Sequence, residues 1–199
     1  MARISQEIKE QTKECILREA ETLFNTLGYD QTKTKTIAKA CHIAEGTLFN
    51  YFDSKEAILL SVFEKMATFE DSLDSTSKMK EDILIEIILK PINKMKTFSK
   101  PVLMDLMTAS LRLAKKNRKL FDGLVALDYR YIEDLNQRFS RLLVFNDDLM
   151  TPNDLSEIIY AVVASEFILY LYEQNRTYFD FEQRATKKIK ALLKPYIGG

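Results

Sequence analysis

Little in this chain cross-links, turns sharply or binds metal. Its 199 residues include two cysteines, one histidine, no tryptophan, five glycines and four prolines. Two thiols, Cys15 and Cys41, are too few for a disulfide framework and fit a reducing compartment. So few glycines and prolines exclude a turn-rich all-β fold and leave long helices. No charge sign prevails: 29 Lys and Arg face 29 Asp and Glu, which excludes a protein that holds nucleic acid by bulk charge. The N-terminal residues turn charged at once, with no apolar signal core. The longest nearly apolar run, Ala161–Tyr172, is interrupted by Ser165 and Glu166 and falls short of the ~20 residues a bilayer requires. A soluble, cytoplasmic protein is expected. With a lone histidine, no Gly-rich phosphate loop, no metal-ligand spacing and no nucleophile motif, neither an enzyme nor a cofactor or metal is expected.

What the chain does have is helical periodicity. Apolar residues make up 46% and charged residues 29%, as in a globular protein. Ile8, Cys15, Leu17, Ala20, Leu23, Phe24 and Leu27 recur at three- and four-residue steps before Gly28, a helix stop. Two short helical pieces follow, Thr34–Cys41 and Glu45–Phe52. Asp53 and Glu56 have capping-box spacing, and a helix from Ser54 to about Leu73 comes next. Residues Asp71–Ser77 read as a polar loop. Five further helices are expected: Glu81–Phe98, with Pro91 kinking or breaking it; Lys100–Lys116; Arg118 to about Phe145; one opened by Thr151-Pro152 and running to about Asn175; and Phe179–Tyr196. No window alternates as a strand does.

The first 65 residues thus hold a helix, a short helix, a tight turn, a second short helix and the start of a long one. A second element of that size fits the major groove of DNA, about 12 Å wide. Lys33, Thr34 and Lys35 stand at the first short helix, and Thr47, Asn50, Tyr51 and Lys55 on or after the second. Their ammonium, hydroxyl and amide groups are donors to phosphate. Residues 31–55 carry four lysines against two acids, an excess of +2, so affinity is expected to need two copies of the module.

One set of residues runs through Ile16-Leu17, Ala20, Leu23-Phe24, Gly28-Tyr29, Thr32, Ile37-Ala38-Lys39-Ala40, Gly46 to Phe52, Ser54-Lys55-Glu56 and Ile58-Leu59. In that set the chain resembles the TetR family of bacterial transcriptional regulators. The resemblance implies an all-α protein, with a three-helix DNA-binding domain carrying a helix-turn-helix (1–53) and a helical bundle for ligand binding and dimerisation (54–199). It assigns the recognition helix to Glu45–Tyr51, base reading to Lys35, close backbone approach to Gly46, and phosphate contacts to Thr47, Tyr51 and Lys55. Several positions depart from the common pattern. His42 replaces a turn glycine and Ala44 a serine cap. Glu45 replaces a lysine and suits a cytosine amino group better than phosphate. Phe49 replaces a tyrosine, favouring contact with thymine methyls, and Asn50 replaces a histidine.

The helix from Pro152 is apolar on nearly every side, more than one core can use. With the last helix it is expected to form a four-helix dimer interface. A homodimer would read a palindromic operator as a repressor, and the resemblance implies release by a small ligand. The apolar larger domain points to a hydrophobic one, with Phe63, Met66, Met107, Tyr131 and Glu166 as its expected contacts. Glu166 alternatively pairs across a dimer or with Tyr170. The rival reading is a dimeric helical small-molecule-binding protein that has lost DNA binding, with Ala44 and Glu45 as the marks of decay.

Overall fold

The computed structural model describes residues 6–66, 80–145 and 150–197, and every regular element among them is helical. Two compact units emerge. One holds residues 1–67 and 97–125, the other residues 68–96 and 126–199. A division at residue 53 does not coincide with them, because apolar burial continues past that point.

In the first unit, α1 (Gln6–Leu27) buries Ile16, Leu17, Ala20 and Phe24. The expected stripe was too wide: Ile8 and Leu27 are half exposed. Gly28 ends the helix at φ +86°, a left-handed conformation that glycine adopts without a Cβ penalty. α2 (Thr34–Ala40) buries Ile37 and Ala38. α3 (Glu45–Leu48) is one helical turn, shorter than the expected Glu45–Tyr51. α4 (Lys55–Met66) packs on α1 through the buried Ile58, Leu59 and Val62. Its cap is Ser54, whose Oγ accepts the Ala57 N–H at 3.1 Å, one residue later than the expected Asp53. Both the expected end of this helix near Leu73 and the Asp71–Ser77 loop lie outside the described residues.

The 97–125 stretch joins this unit through named contacts. Asn25 Nδ2 donates to the Thr97 carbonyl at 2.5 Å, and its Oδ1 accepts the Ser99 N–H at 3.2 Å. From α6 (Lys100–Lys116), Arg112 Nη1 reaches both oxygens of Asp30, at 3.1 and 3.0 Å. α7 (Arg118–Leu142) begins here and passes so near α4 that a Cβ on Gly123 would lie 2.8 Å from Leu60 Cδ2.

The second unit contains α5 (Lys80–Lys94), the rest of α7, α8 (Pro152–Tyr172) and α9 (Tyr178–Ile197). Pro91 does not break α5, which runs through it and gives way to a 3-10 turn at Met95–Thr97. The neighbouring Ile87, Ile88 and Leu89 are buried and hold that stretch in place. α8 opens on the expected cap: Thr151 and Asp154 form a reciprocal capping box, with Pro152 in the first turn. By length and composition α8 is apolar enough to cross a membrane, which the shorter run read from the sequence did not reveal. In this fold it is instead a packed helix, with Leu155, Ile159, Val163, Tyr170 and Leu171 buried and α9 laid along it. Phe167, Tyr170, Tyr178 and Phe181 join the pair through ring contacts 5.2–6.3 Å between centroids.

Candidate nucleic-acid interface

Leu48 and Phe52, both buried, fasten the segment 45–52 to the first unit. Beyond Leu48 the chain keeps winding by tighter bonds: the Asn50 N–H donates to the Thr47 carbonyl and the Tyr51 N–H to the Leu48 carbonyl. The rod is therefore one α-turn extended by 3-10-like turns. Gly46, Phe49 and Asn50 are exposed, with Thr47 and Tyr51 half-buried beside them. A Cβ built on Gly46 meets nothing within 4 Å, so its bare backbone faces open space. Lys33 and Lys35 are exposed at the start of α2. The packing of α2 on α3 brings this set to one module.

The departures at 42, 44 and 45 each have a local consequence. His42 takes φ +54°, the left-handed region where histidine is tolerated at some cost. Ala44 has the extended backbone of a helix N-cap (φ −70°, ψ 148°) but no side chain to cap with. The substitution Ala44→Ser is expected to stabilise the protein by about 1 kcal/mol, read as a higher urea midpoint at unchanged slope. Glu45 finds its partner within the protein. Its Oε1 accepts the Thr34 hydroxyl at 2.6 Å, so two expected DNA contacts are joined to one another and tie the start of α2 to the start of α3.

Lys55 also faces inward. Its Nζ donates to the carbonyls of Tyr29 at 2.8 Å, Thr32 at 3.1 Å and Asp30 at 3.5 Å, and lies 4.2 Å from the Tyr29 ring centre. An ammonium has three N–H groups, so a phosphate contact must displace one of these carbonyls. Burial pushes this ammonium below the usual lysine range. Tyr29 and Thr32, which sequence reasoning gave no role, thus shape the loop before α2. Thr32, itself buried, donates to the carbonyls of Leu23 and Gly28. Both lie in the resembling set, yet nothing in their spacing announced a lysine beneath them.

The expected ligand contacts do not all gather in one unit. Phe63 on α4 and Met107 on α6 are half-buried in the first. The Met66 side chain lies outside the described residues. Tyr131 is buried in the second unit, where its hydroxyl donates to the Ile88 carbonyl at 2.5 Å. Glu166, fully buried, is held by three cations: Lys188 Nζ at 2.6 Å, Arg184 Nε at 3.1 Å and Arg176 Nη1 at 3.3 Å. Burial alone would raise its carboxyl, but the hydrogen bonds from Lys188 and Arg184 carry it below the usual glutamate range. Its oxygens serve the α8–α9 contact.

Residues 16–62 match the family described as bacterial regulatory proteins, tetR family. Over 54 residues the chain is 43% identical to the fatty acid metabolism regulator protein of Bacillus subtilis, covering 27% of this chain and 28% of that one. A longer likeness, 24% over 167 residues, is to IcaR of Staphylococcus aureus, the negative transcriptional regulator of the biofilm operon icaADBC, covering 82% of this chain and 86% of that one. Among solved structures, a TetR-family transcriptional regulator of Cytophaga hutchinsonii superposes at TM-score 0.67 with 13% identity over 98% of both chains. Salmonella enterica GusR superposes at 0.61 with 22% identity over 97% of this chain and all of that one. Such low identities speak for the fold. The matched module is that of the bacterial regulatory proteins of the tetR family, and the chain as a whole shares its fold with TetR-family regulators.

Proposed function

We propose that the protein is a repressor that binds a palindromic operator as a homodimer and lets go when a small, apolar ligand binds. The observation that carries this is the segment 45–52, anchored beneath by Leu48 and Phe52 and open above Gly46. One module with an excess charge of +2 is a weak binder. Two copies on a two-fold axis, with recognition segments about 34–36 Å apart, sum their contacts on successive major grooves. Lys33, Lys35, Thr47, Asn50 and Tyr51 donate to phosphate or base edges, and Phe49 offers its ring to thymine methyls. Glu45, already accepting from Thr34, keeps a second oxygen for a cytosine amino group. Lys55 supports the loop before α2 and reaches phosphate by exchanging one carbonyl.

The dimer reading is supported by α8. Its outer face presents Ala161, Ser165, Ile168, Leu169 and Tyr172, and Tyr172 is 63% exposed. Phe179, at the start of α9, is 65% exposed. Two such faces meeting would bury them. The repressor sense is supported by the likeness to IcaR, which is named a negative regulator. The ligand acts by preferring the state that does not fit DNA. The contact of Gly123 with Leu60 is one route by which α7 can move α4. A protein with this task works where the chromosome is, in the cytoplasm.

Gly46 gives the discriminating test. Because a methyl there meets nothing in the protein, Gly46→Ala should leave stability unchanged or raise it by up to about 1 kcal/mol. At the DNA surface the same methyl occupies space the groove requires, and affinity for the selected operator should fall about tenfold (1.4 kcal/mol) in a gel shift. Unchanged affinity would remove Gly46 from the interface.

A further inference from the structure

Thr34 is the first residue of α2 and Glu45 the first of α3, and a hydrogen bond joins their side chains. The Thr34 hydroxyl donates to Glu45 Oε1 at 2.6 Å, the length of a bond to a charged oxygen. A threonine hydroxyl has a single proton to give, so Thr34 keeps none for a phosphate. Both ends of this bond are held firmly. The buried Ile37 and Ala38 fix α2, and the buried Leu48 fixes α3. Threonine is also stiff about its first side-chain torsion, because it branches at Cβ. Glu45 stands apart from the donors around it. It brings a negative charge to a surface that faces a polyanion, and its hydroxyl partner is neutral and leaves that charge in place.

We propose that Thr34 is a positioning residue for base reading: by holding one oxygen of Glu45 it presents the other to a cytosine amino group, and so selects a C·G pair in each half-site. This rests on the DNA-binding reading above. A glutamate side chain turns about several torsions, and an untethered one swings from base to base or away from the groove. Held at Oε1, Glu45 has lost that freedom before DNA arrives, and its second oxygen serves one place in the groove. The base edges then decide the partner. Cytosine offers an amino donor to the major groove. Guanine and thymine offer acceptors, which repel a carboxylate, and adenine sets its N7 acceptor beside its amino group. Cytosine is therefore the base that suits a fixed carboxylate oxygen. Thr34 touches no base in this arrangement and acts through Glu45.

The test uses the full-length protein and its variants Thr34→Val, Thr34→Ser and Glu45→Ala. Each selects duplexes from a random-sequence pool, and each is then titrated with the wild-type operator and with singly substituted copies of it. Glu45→Ala identifies the position that Glu45 reads, by losing the cytosine preference there. At that position wild type should lose about tenfold in affinity when cytosine is replaced by thymine. Thr34→Val, which keeps the branched shape without the hydroxyl, should lose less than about threefold for the same replacement and keep its preferences elsewhere. Thr34→Ser, which retains the hydroxyl, should restore the discrimination. A tie that merely braces α2 against α3 would weaken binding to all sequences alike and leave the cytosine preference intact in Thr34→Val. That result overturns the proposal, as does a Glu45→Ala variant that loses no cytosine preference. A pool from which wild type enriches nothing removes the DNA-binding reading, and this assignment with it. Enrichment by wild type with an unaltered preference in Thr34→Val removes this assignment alone.

Discussion

The substitution Glu166→Ala is expected to cost about 3 kcal/mol of stability, the range for removing one side of a buried ion pair. Arg184 and Lys188 are half exposed and return to water when the carboxylate goes. Arg176, whose side chain is 8% exposed, stays in the protein, where Glu173 at the surface also pairs with it. The loss falls on the contact between α8 and α9, which also carries the proposed dimer face. Urea unfolding measures it, and a change under about 1 kcal/mol would mean the three cations contribute no net stability. The pH dependence has a definite sign. Because the folded carboxyl sits below its usual value of 4.5, its contribution is present above that pH and fades as the pH falls through the folded value. The gap between wild type and Glu166→Gln should therefore be full at neutral pH and narrow only in acid, below that usual value.

Leu48→Ala is expected to be comparably severe, at about 3 kcal/mol, since Leu48 is fully buried and is the one buried residue of α3. The segment it secures is a single helical turn whose stability comes from that anchor and not from its own bonds. Operator affinity should drop to the level of non-specific DNA even at temperatures where the protein remains folded. Leu48→Met, which keeps the volume, should cost under about 1.5 kcal/mol and retain operator binding. Thermal unfolding followed by circular dichroism, with a gel shift on the same samples, separates the two variants. Full operator binding by the alanine variant would show that α3 needs no core anchor.

Helix identity was legible because amphipathic periodicity is a direct record of burial: Ile16, Ala20 and Phe24, or Phe181, Ala185 and Ile189, face inward as their spacing demands. Breaks were harder. Pro91 removes one donor, but the buried isoleucines before it hold α5 across the gap. Partnerships between distant charges left no trace in spacing. Glu166 was visible as an isolated acid in an apolar helix, but nothing in the sequence marked Arg184 and Lys188 of α9, one turn apart, as its partners. Thr34 and Glu45 looked like two DNA contacts and are each other's partner. Lys55 looked like a free ammonium and is enclosed by carbonyls, because carbonyl acceptors belong to every residue and no side-chain pattern marks them.

The account rests on 45–52 being a probe for duplex DNA presented twice. The direct measurement is selection of bound duplexes from a random-sequence pool at low salt, with the mass of the complex determined in parallel. The account predicts an inverted repeat whose half-sites are centred about 10–10.5 base pairs apart, or a multiple of that, bound by two chains. A pool from which no sequence is enriched, or a single half-site bound by one chain, would contradict it.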